Sequence, residues 1–415
     1  MIKFIKKIFN KIKVGIYKMF GIQINTYNGN TLDSEYVKGV MSVNGYINMS
    51  AKSWANIYSI DINNLNKGAL CSFVGHVGSG NSIAGCVSSY DGYNKVLKLY
   101  NSGLQPITLL DSNNITTNRT GEYGIDFGEG FSTITEGFKS LRLIYSGKGT
   151  IETLTTYHQY NRRETRVVRV SVVSKTKPIV FSLIRRGSDG SKLICAPLGT
   201  VSLGDNHDFY FVIKEYIYGN SGGSSGYTVY DENKLYQHFY VFSSDPEYSK
   251  QDYGIEVFNK NGELVYGGDY ITANIAGYSL IPFVSRNGMD TRNQLKVNIS
   301  NNGYNIDGKS IAVNIIGSNV VSEVFGDSAA RILFPRFTME GNQIVRTLYQ
   351  AGMIGQPNSP GSNGQGYYYV SEMMRLYTAS GFNDCHQFIN CIDVTNLPEY
   401  FGENSPRLNP KHLYQ

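Results

Sequence analysis

The only compact group of soft metal ligands in the sequence is Cys385-His386-x4-Cys391. A zinc site normally draws on two such groups at regular spacing, and no partner group is visible, so no metal ligand is assigned. The six histidines stand at 76, 158, 207, 238, 386 and 412, and none forms the HExxH spacing that sets two imidazoles on one helix face. Gly75-His-Val-Gly-Ser-Gly80 has the glycines of a phosphate loop but lacks the Lys-Ser/Thr that grips phosphate and magnesium, and no helical pattern follows it. Gly219-Asn-Ser-Gly-Gly223 has a serine among glycines but not the Gly-x-Ser-x-Gly of a nucleophile elbow. Acidic pairs such as Asp205/Asp208 and Asp231/Glu232 could serve a glycosidase, which needs two carboxylates about 5–10 Å apart. Any β protein of this size offers such pairs. The expectation is a chain with no catalytic residue, no cofactor and no metal.

Residues suited to recognition are more plentiful. Two loops are dense in tyrosine: Tyr216, Tyr218, Tyr227 and Tyr230 in one, Tyr367, Tyr368 and Tyr369 in the other. Tyrosine covers a large area at low entropic cost and keeps a hydrogen-bonding tip, which suits subunit contacts first and glycan stacking second. The plain alternative is a chain biased to Tyr throughout. Arg162, Arg163, Arg166 and Arg169 make a local basic patch, read either as a solvated face or as a contact for an acidic partner or glycan.

Charge is concentrated at one end. Residues 1–20 hold six lysines and no acid, and the first carboxylate is Asp33. The formal charge of the whole chain is +5, so without those lysines the body carries 32 basic against 33 acidic groups. A general nucleic-acid reading, which needs a basic face on the folded part, loses its support in a body so balanced. In the tail, Ile5, Ile8, Ile12 and Ile16 recur at helical spacing, with Phe9 beside them. Lysine interrupts every apolar stretch, against a signal peptide. A helix docked in a partner's groove, one lying on a membrane surface, and one packed on its own protein all fit. The apolar stripe Ile5, Ile8, Phe9, Ile12 and Ile16 is taken as the docking face. No apolar run of about 18 residues exists, so no membrane span is expected.

The elements that must position these groups are strands. The chain has 415 residues, 13% aromatic and 17% charged, with 32 Tyr, 45 Gly and 39 Asn. Tyrosine favours strands, while Gly and Asn supply the positive φ of tight turns. Turn signals arrive every 8 to 12 residues among apolar segments such as 55–62, 68–82 (a strand running into a Gly-rich turn), 166–175, 177–196 (two apolar runs parted at Gly187–Gly190), 207–219 and 234–244, the rhythm of sandwiches and barrels. Five cysteines, an odd number with no CxxC, make no disulfide framework. The four Asn-x-Ser/Thr sequons at 48, 114, 118 and 298 read as chance products of an Asn-rich chain. Near the C-terminus the spacing of Met339, Val345, Leu348 and Tyr349 predicts a helix over 338–352, and a second is expected over 370–381.

One phrase is repeated. Tyr123-Gly-Ile-Asp-Phe127 and Tyr253-Gly-Ile-Glu-Val257 lie 130 residues apart. The second continues to Asp269 and reads as a hairpin: Ile255 and Val257 in one strand, Asn259 to Gly262 as the turn, Leu264 and Tyr266 in the return strand. This phrase resembles a hairpin of many bacteriophage tail proteins, through Tyr253, Gly254, Val257, Phe258, Asn259, Gly262, Leu264, Tyr266 and Asp269. A Gly-Gly insertion displaces the final Asp. The first copy lacks the Asn-x-x-Gly turn, although Arg142–Gly147 fits the usual continuation. The resemblance covers about 122–285. Residues 53–81 are similar to the globular β heads of phage fibres.

The resemblance implies a structural virion protein of the tail fibre or tail tip type, made in the host cytoplasm and resident in the virion. It would be a homo-oligomer contacting other tail proteins and possible host-surface glycan. The expected fold is all-β, with tandem β-sandwich domains (jelly-roll or Ig-like), an N-terminal amphipathic helix and a small mixed C-terminal region. Boundaries are expected as 1–22, 40–120, 121–246, 247–326 and 327–415. Other functions that fit are a lectin-like surface adhesin, a head decoration protein and a tail-associated polysaccharide hydrolase.

Overall fold

The computed structural model describes residues 93–96, 141–153, 168–187, 204–211, 238–245, 271–282, 295–301, 304–315, 336–347 and 387–402, together with the backbone of the strands named below. The early strands are β1 (Gln23–Asn25), β2 (Thr31–Asp33), β3 (Ser42–Met49), β4 (Ile57–Asp61), β5 (Ala69–Gly75), β6 (Cys86–Asp91), β7 (Val96–Asn101) and β8 (Ile107–Asn113). Next come β9 (Gly124–Asp126), β10 (Thr133–Thr135), β11 (Arg142–Lys148), β12 (Thr150–His158), β13 (Asn161–Val173), β14 (Ile179–Arg185), β15 (Ala196–Leu203), β16 (Asn206–Tyr218) and β17 (His238–Ser243). The last are β18 (Glu256–Phe258), β19 (Leu264–Gly267), β20 (Asn274–Pro282), β21 (Leu295–Asn298), β22 (Ile311–Ile316), β23 (Val321–Phe325), β24 (Ala329–Glu340), β25 (Gln343–Gly355) and β26 (Cys385–Asp393). The described part is all-β, every sheet is antiparallel, and it contains no helix.

A nine-stranded sheet organises the molecule, in the order β11-β17-β14-β22-β26-β6-β7-β4, with β20 on the free side of β26. It draws strands from 57–101, 142–185, 238–316 and 385–393, so its pairing runs through four of the five spans expected from the sequence. Strand β26 is its spine. It pairs with β22 through Ile311↔Asp393, with β20 through Asn274↔Asp393, and reaches β6 at Cys385↔Ser89. Every residue of β14 and of β17 is buried. A strand covered on both faces has no use for alternation, which is why IVFSLIR and HFYVFS read as nearly continuous apolar runs.

A four-stranded sheet, β12-β13-β16-β15, supplies one cover. Val168, Val170, Val172, Phe209 and Phe211 turn to Val180, Phe239 and Val241 of the large sheet and form a single apolar cluster. The chain passes between the two sheets at Gly149, where an added Cβ would lie 2.3 Å from Val168 Cγ1, so only glycine fits this corner without repacking. A second four-stranded sheet, β21-β25-β24-β23, brings Phe337, Met339 and Ile344 against Val313, Ile315, Ile389 and Cys391. On the other face Leu141, Leu143, Phe181, Leu183, Phe242 and Ile392 form a third cluster with Ile271, Ala273 and Ile275.

Smaller pairings complete the set: β3-β8-β5, β1-β2, β9-β10 and β18-β19. The last of these falls on the repeated phrase, with Val257 opposite Tyr266 and Phe258 opposite Leu264, so the expected hairpin forms.

The helix expected over 338–352 is corrected. Residues 329–355 form the hairpin β24–β25, with Glu340 paired to Gln343 across the two-residue loop Gly341-Asn342. Gly341 takes φ +54 and Asn342 does not take positive φ, as in the type II′ turn that suits hairpin twist. Ile344, Val345 and Thr347 are β-branched, and the apolar spacing that mimics a helix is a strand pattern read across a turn. The second expected helix, 370–381, and the N-terminal helix lie outside the described residues.

Candidate functional site

Three clusters of polar residues are built into this frame. The first sits at the end of β26. Asp393 accepts hydrogen bonds from Tyr304 Oη (2.7 Å), Lys309 Nζ (2.9 Å), the Thr395 hydroxyl and the Thr395 N–H (2.8 Å). Burial alone would raise its carboxyl pKa, but these donors outweigh it and hold the group below the usual carboxylate range. Burial and the neighbouring Asp393 push the Tyr304 phenol up to about 12. Lys309 is lowered by burial, but its bonds to Asp393 and Tyr304 prevail and raise it. The triad is therefore a locked charge pair with a neutral phenol, not a poised acid or base. Beside it, the Arg185 guanidinium donates to the backbone carbonyls of Lys309, Gly341 and Ile306. One side chain thereby ties β14 to the loop before β22 and to the β24–β25 turn.

The second cluster lies on the side of β13 and β16 away from the valines. Asp208 is fully buried and accepts from the Ser171 hydroxyl and Tyr210 Oη (3.2 Å), with the Arg169 guanidinium 3.9 Å away and paired in turn to Glu152 at 3.2 Å. Burial, then Asp208, pushes the Tyr210 phenol well up. Asp205, by contrast, stands exposed in the turn before β16. The acidic pair Asp205/Asp208 is thus divided between solvent and interior, and Asp208 cannot meet a polysaccharide.

The third cluster is at the β11 edge. After β26 the chain turns through Val394–Leu397 and runs across β11. Ser146 N–H donates to Phe401 O (2.9 Å), Phe401 N–H donates to Ser146 O (3.0 Å), and the Ser146 hydroxyl donates to Pro398 O (2.7 Å). Gly402, at φ +73, comes so close that a Cβ there would lie 2.3 Å from Ile144 O. Glu399 meets Arg186 in a two-bond ion pair at 2.9 and 3.1 Å. Tyr400 is 62% exposed, and its ring stacks edge-on to the buried His238 at 5.8 Å. Tyr400 and Phe401 are among the large apolar side chains that the described surface leaves to solvent.

The residues singled out from the sequence fare unevenly. Ile5, Ile8, Phe9, Ile12 and Ile16 lie outside the described residues, as do Tyr227, Tyr230, Tyr367, Tyr368 and Tyr369. For Tyr216 and Tyr218 the backbone alone is placed, on β16 opposite Glu164 and Arg162 of β13. Of the four arginines, Arg169 is committed to Glu152 rather than to a partner. Cys385 and Cys391 lie six residues apart on one strand, about 20 Å at the usual rise, too far to share an ion. Among the described residues no group of three or more His, Cys, Asp or Glu could hold a metal. Arg185, Lys309, Asp393 and His238 were not visible as a set, because they lie up to 208 residues apart and no motif links them.

Comparison with protein-family models, with curated proteins and with solved structures returned no match in any of the three.

Proposed function

We propose that this protein is a non-catalytic structural component of a bacteriophage tail, of the fibre, tip or adaptor kind. The observation that carries this reading is the phrase Tyr253–Asp269, which resembles a tail-protein hairpin in its residues and forms paired strands at β18 and β19. The antiparallel all-β architecture is consistent with it. We read the face-to-face packing of the β12–β13–β16–β15 sheet on the large sheet as a β-sandwich, the module from which such proteins are assembled. The polar clusters support a structural role, because their charged groups are spent on backbone carbonyls and on each other.

In this reading the chain is made in the host cytoplasm and joins the virion as a homo-oligomer. Residues 1–22 dock their Ile/Phe stripe in a neighbouring tail protein, and the tyrosine loops supply subunit contacts or touch a host-surface glycan. The experiment is mass spectrometry and cryo-electron microscopy of particles purified from the source culture. Stoichiometric copies at the tail are expected. Absence from particles would overturn the reading. Copies on the head would make it a decoration protein, and cleavage of host polysaccharide by the purified chain would make it a hydrolase.

A further inference from the structure

His238 is 1% exposed although it opens an outer part of the large sheet, next to the edge strand β11. Its cover is the crossing segment after β26. Tyr400 meets the imidazole edge-on at 5.8 Å and Tyr240 flanks it at 5.1 Å. The charged groups that face it are Glu399 on the segment, Arg186 at the end of β14 and Lys148, its register partner on β11. Two of the three are cations. Among the described residues the segment is held by the paired Ser146–Phe401 bonds, the Ser146–Pro398 bond and the exposed Arg186–Glu399 pair. An exposed ion pair of this kind holds weakly.

We propose that Pro398–Gly402 is an acid-released cover on the β11 edge, and that His238 is the proton-sensing group beneath it. A third positive charge is disfavoured in this buried position beside Arg186 and Lys148, even with Glu399 opposing them. Protonation therefore favours the state in which Tyr400 has lifted and water reaches the ring. Burial, against the pull of the Glu399 carboxylate and with Arg186 and Lys148 adding to it, draws the imidazole pKa down to about 4 while the segment is seated. Once lifted, the ring returns to an ordinary value near 6.5. The group's folded pKa is depressed, so the seating it favours is fully present above about pH 6.5 and is lost as pH falls toward 4. Lifting frees the Ser146 N–H and C=O, and an open strand edge is a template for pairing.

The test is amide hydrogen exchange on the full chain between pH 7.5 and 4.5, corrected for the intrinsic rate. The Ser146 and Phe401 amides are expected to lose about 70-fold of protection over that range, the factor set by imidazole pKa values of about 6.5 and 4. The Val241 amide in the buried strand β17 should hold its protection. His238→Phe, which cannot charge, should abolish the change, whereas Glu399→Gln should keep it. Gly402→Ala should open the segment at every pH. The proposal fails if Ser146 stays protected at pH 4.5, if Val241 exchanges in step with it, or if His238→Phe opens over the same range. Should His238→Phe not fold, an NMR titration of the wild-type ring decides. Resonances of Pro398–Gly402 moving with a depressed His238 pKa support the proposal, and an ordinary pKa near 6.5 overturns it.

Discussion

At the scale of single residues, the interior of this protein is held by a few polar groups that reach across long sequence distances. Arg185 satisfies three carbonyls from two separate loops. Arg185→Met would fill the space but leave those carbonyls without their charged donor. A buried acceptor left without its donor costs about 1–3 kcal/mol, so a loss of at least that size is expected, read by urea unfolding. Asp393 offers a finer test. Its carboxyl is held low, so its contribution is fully present above the usual carboxylate pKa and is lost as pH falls through the folded value. Tyr304→Phe removes one donor. It should cost about 1 kcal/mol at neutral pH and move the acid loss to higher pH, with the Asp393 carbon resonance titrating at higher pH than in the wild type. Cys391 is wholly buried, and burial raises its thiol pKa well above the ordinary value. A thiol reagent at pH 8 should modify it at the rate of unfolding and not before.

At the scale of elements, backbone geometry decides what can be changed. Gly277 sits at a bulge in β20 with φ +142, and an added Cβ would lie 2.4 Å from Ser300 O. Gly341 takes φ +54 in the hairpin turn with nothing near it. Gly341→Ala should therefore cost about 1 kcal/mol of backbone strain. Gly277→Ala should cost about 3 kcal/mol or more and part the Tyr278–Ser300 bonds, visible as lost amide protection there. The strands themselves were largely legible. The runs over 166–175 and 207–219 fall on β13 and β16, and the first of the two runs in 177–196 falls on β14, because β-branched and aromatic residues cluster there. The hairpin at 253–269 was legible for the same reason. The misread element, 338–352, shows the limit: apolar spacing of three and four also arises when two strands meet at a tight turn, and Gly341-Asn342 was the better signal. The site was not legible. Arg185, Asp393 and His238 gain their meaning from partners distant in sequence, such as Ile306, Lys309 and Tyr400, and a single sequence carries no record of register.

At the scale of the whole molecule, β26 binds distant parts of the chain into one sheet. A chain stopped at residue 384 would lose the partner of β20, β22 and β6 together. It should show no cooperative urea transition, and near-ultraviolet circular dichroism should report the loss of fixed aromatic packing. The same feature sets a timetable. Ser89 of β6 and Cys385 of β26 are partners, yet nearly 300 residues separate them. At ordinary ribosomal speeds of about 5–20 residues per second, β6 waits roughly 15–60 s for the strand that covers its edge. During that interval every nascent copy presents unpaired backbone, and crowding of many ribosomes on one message would bring such edges together. The yield of this protein in a cell should therefore depend less on its final stability than on how well those edges are kept apart during synthesis.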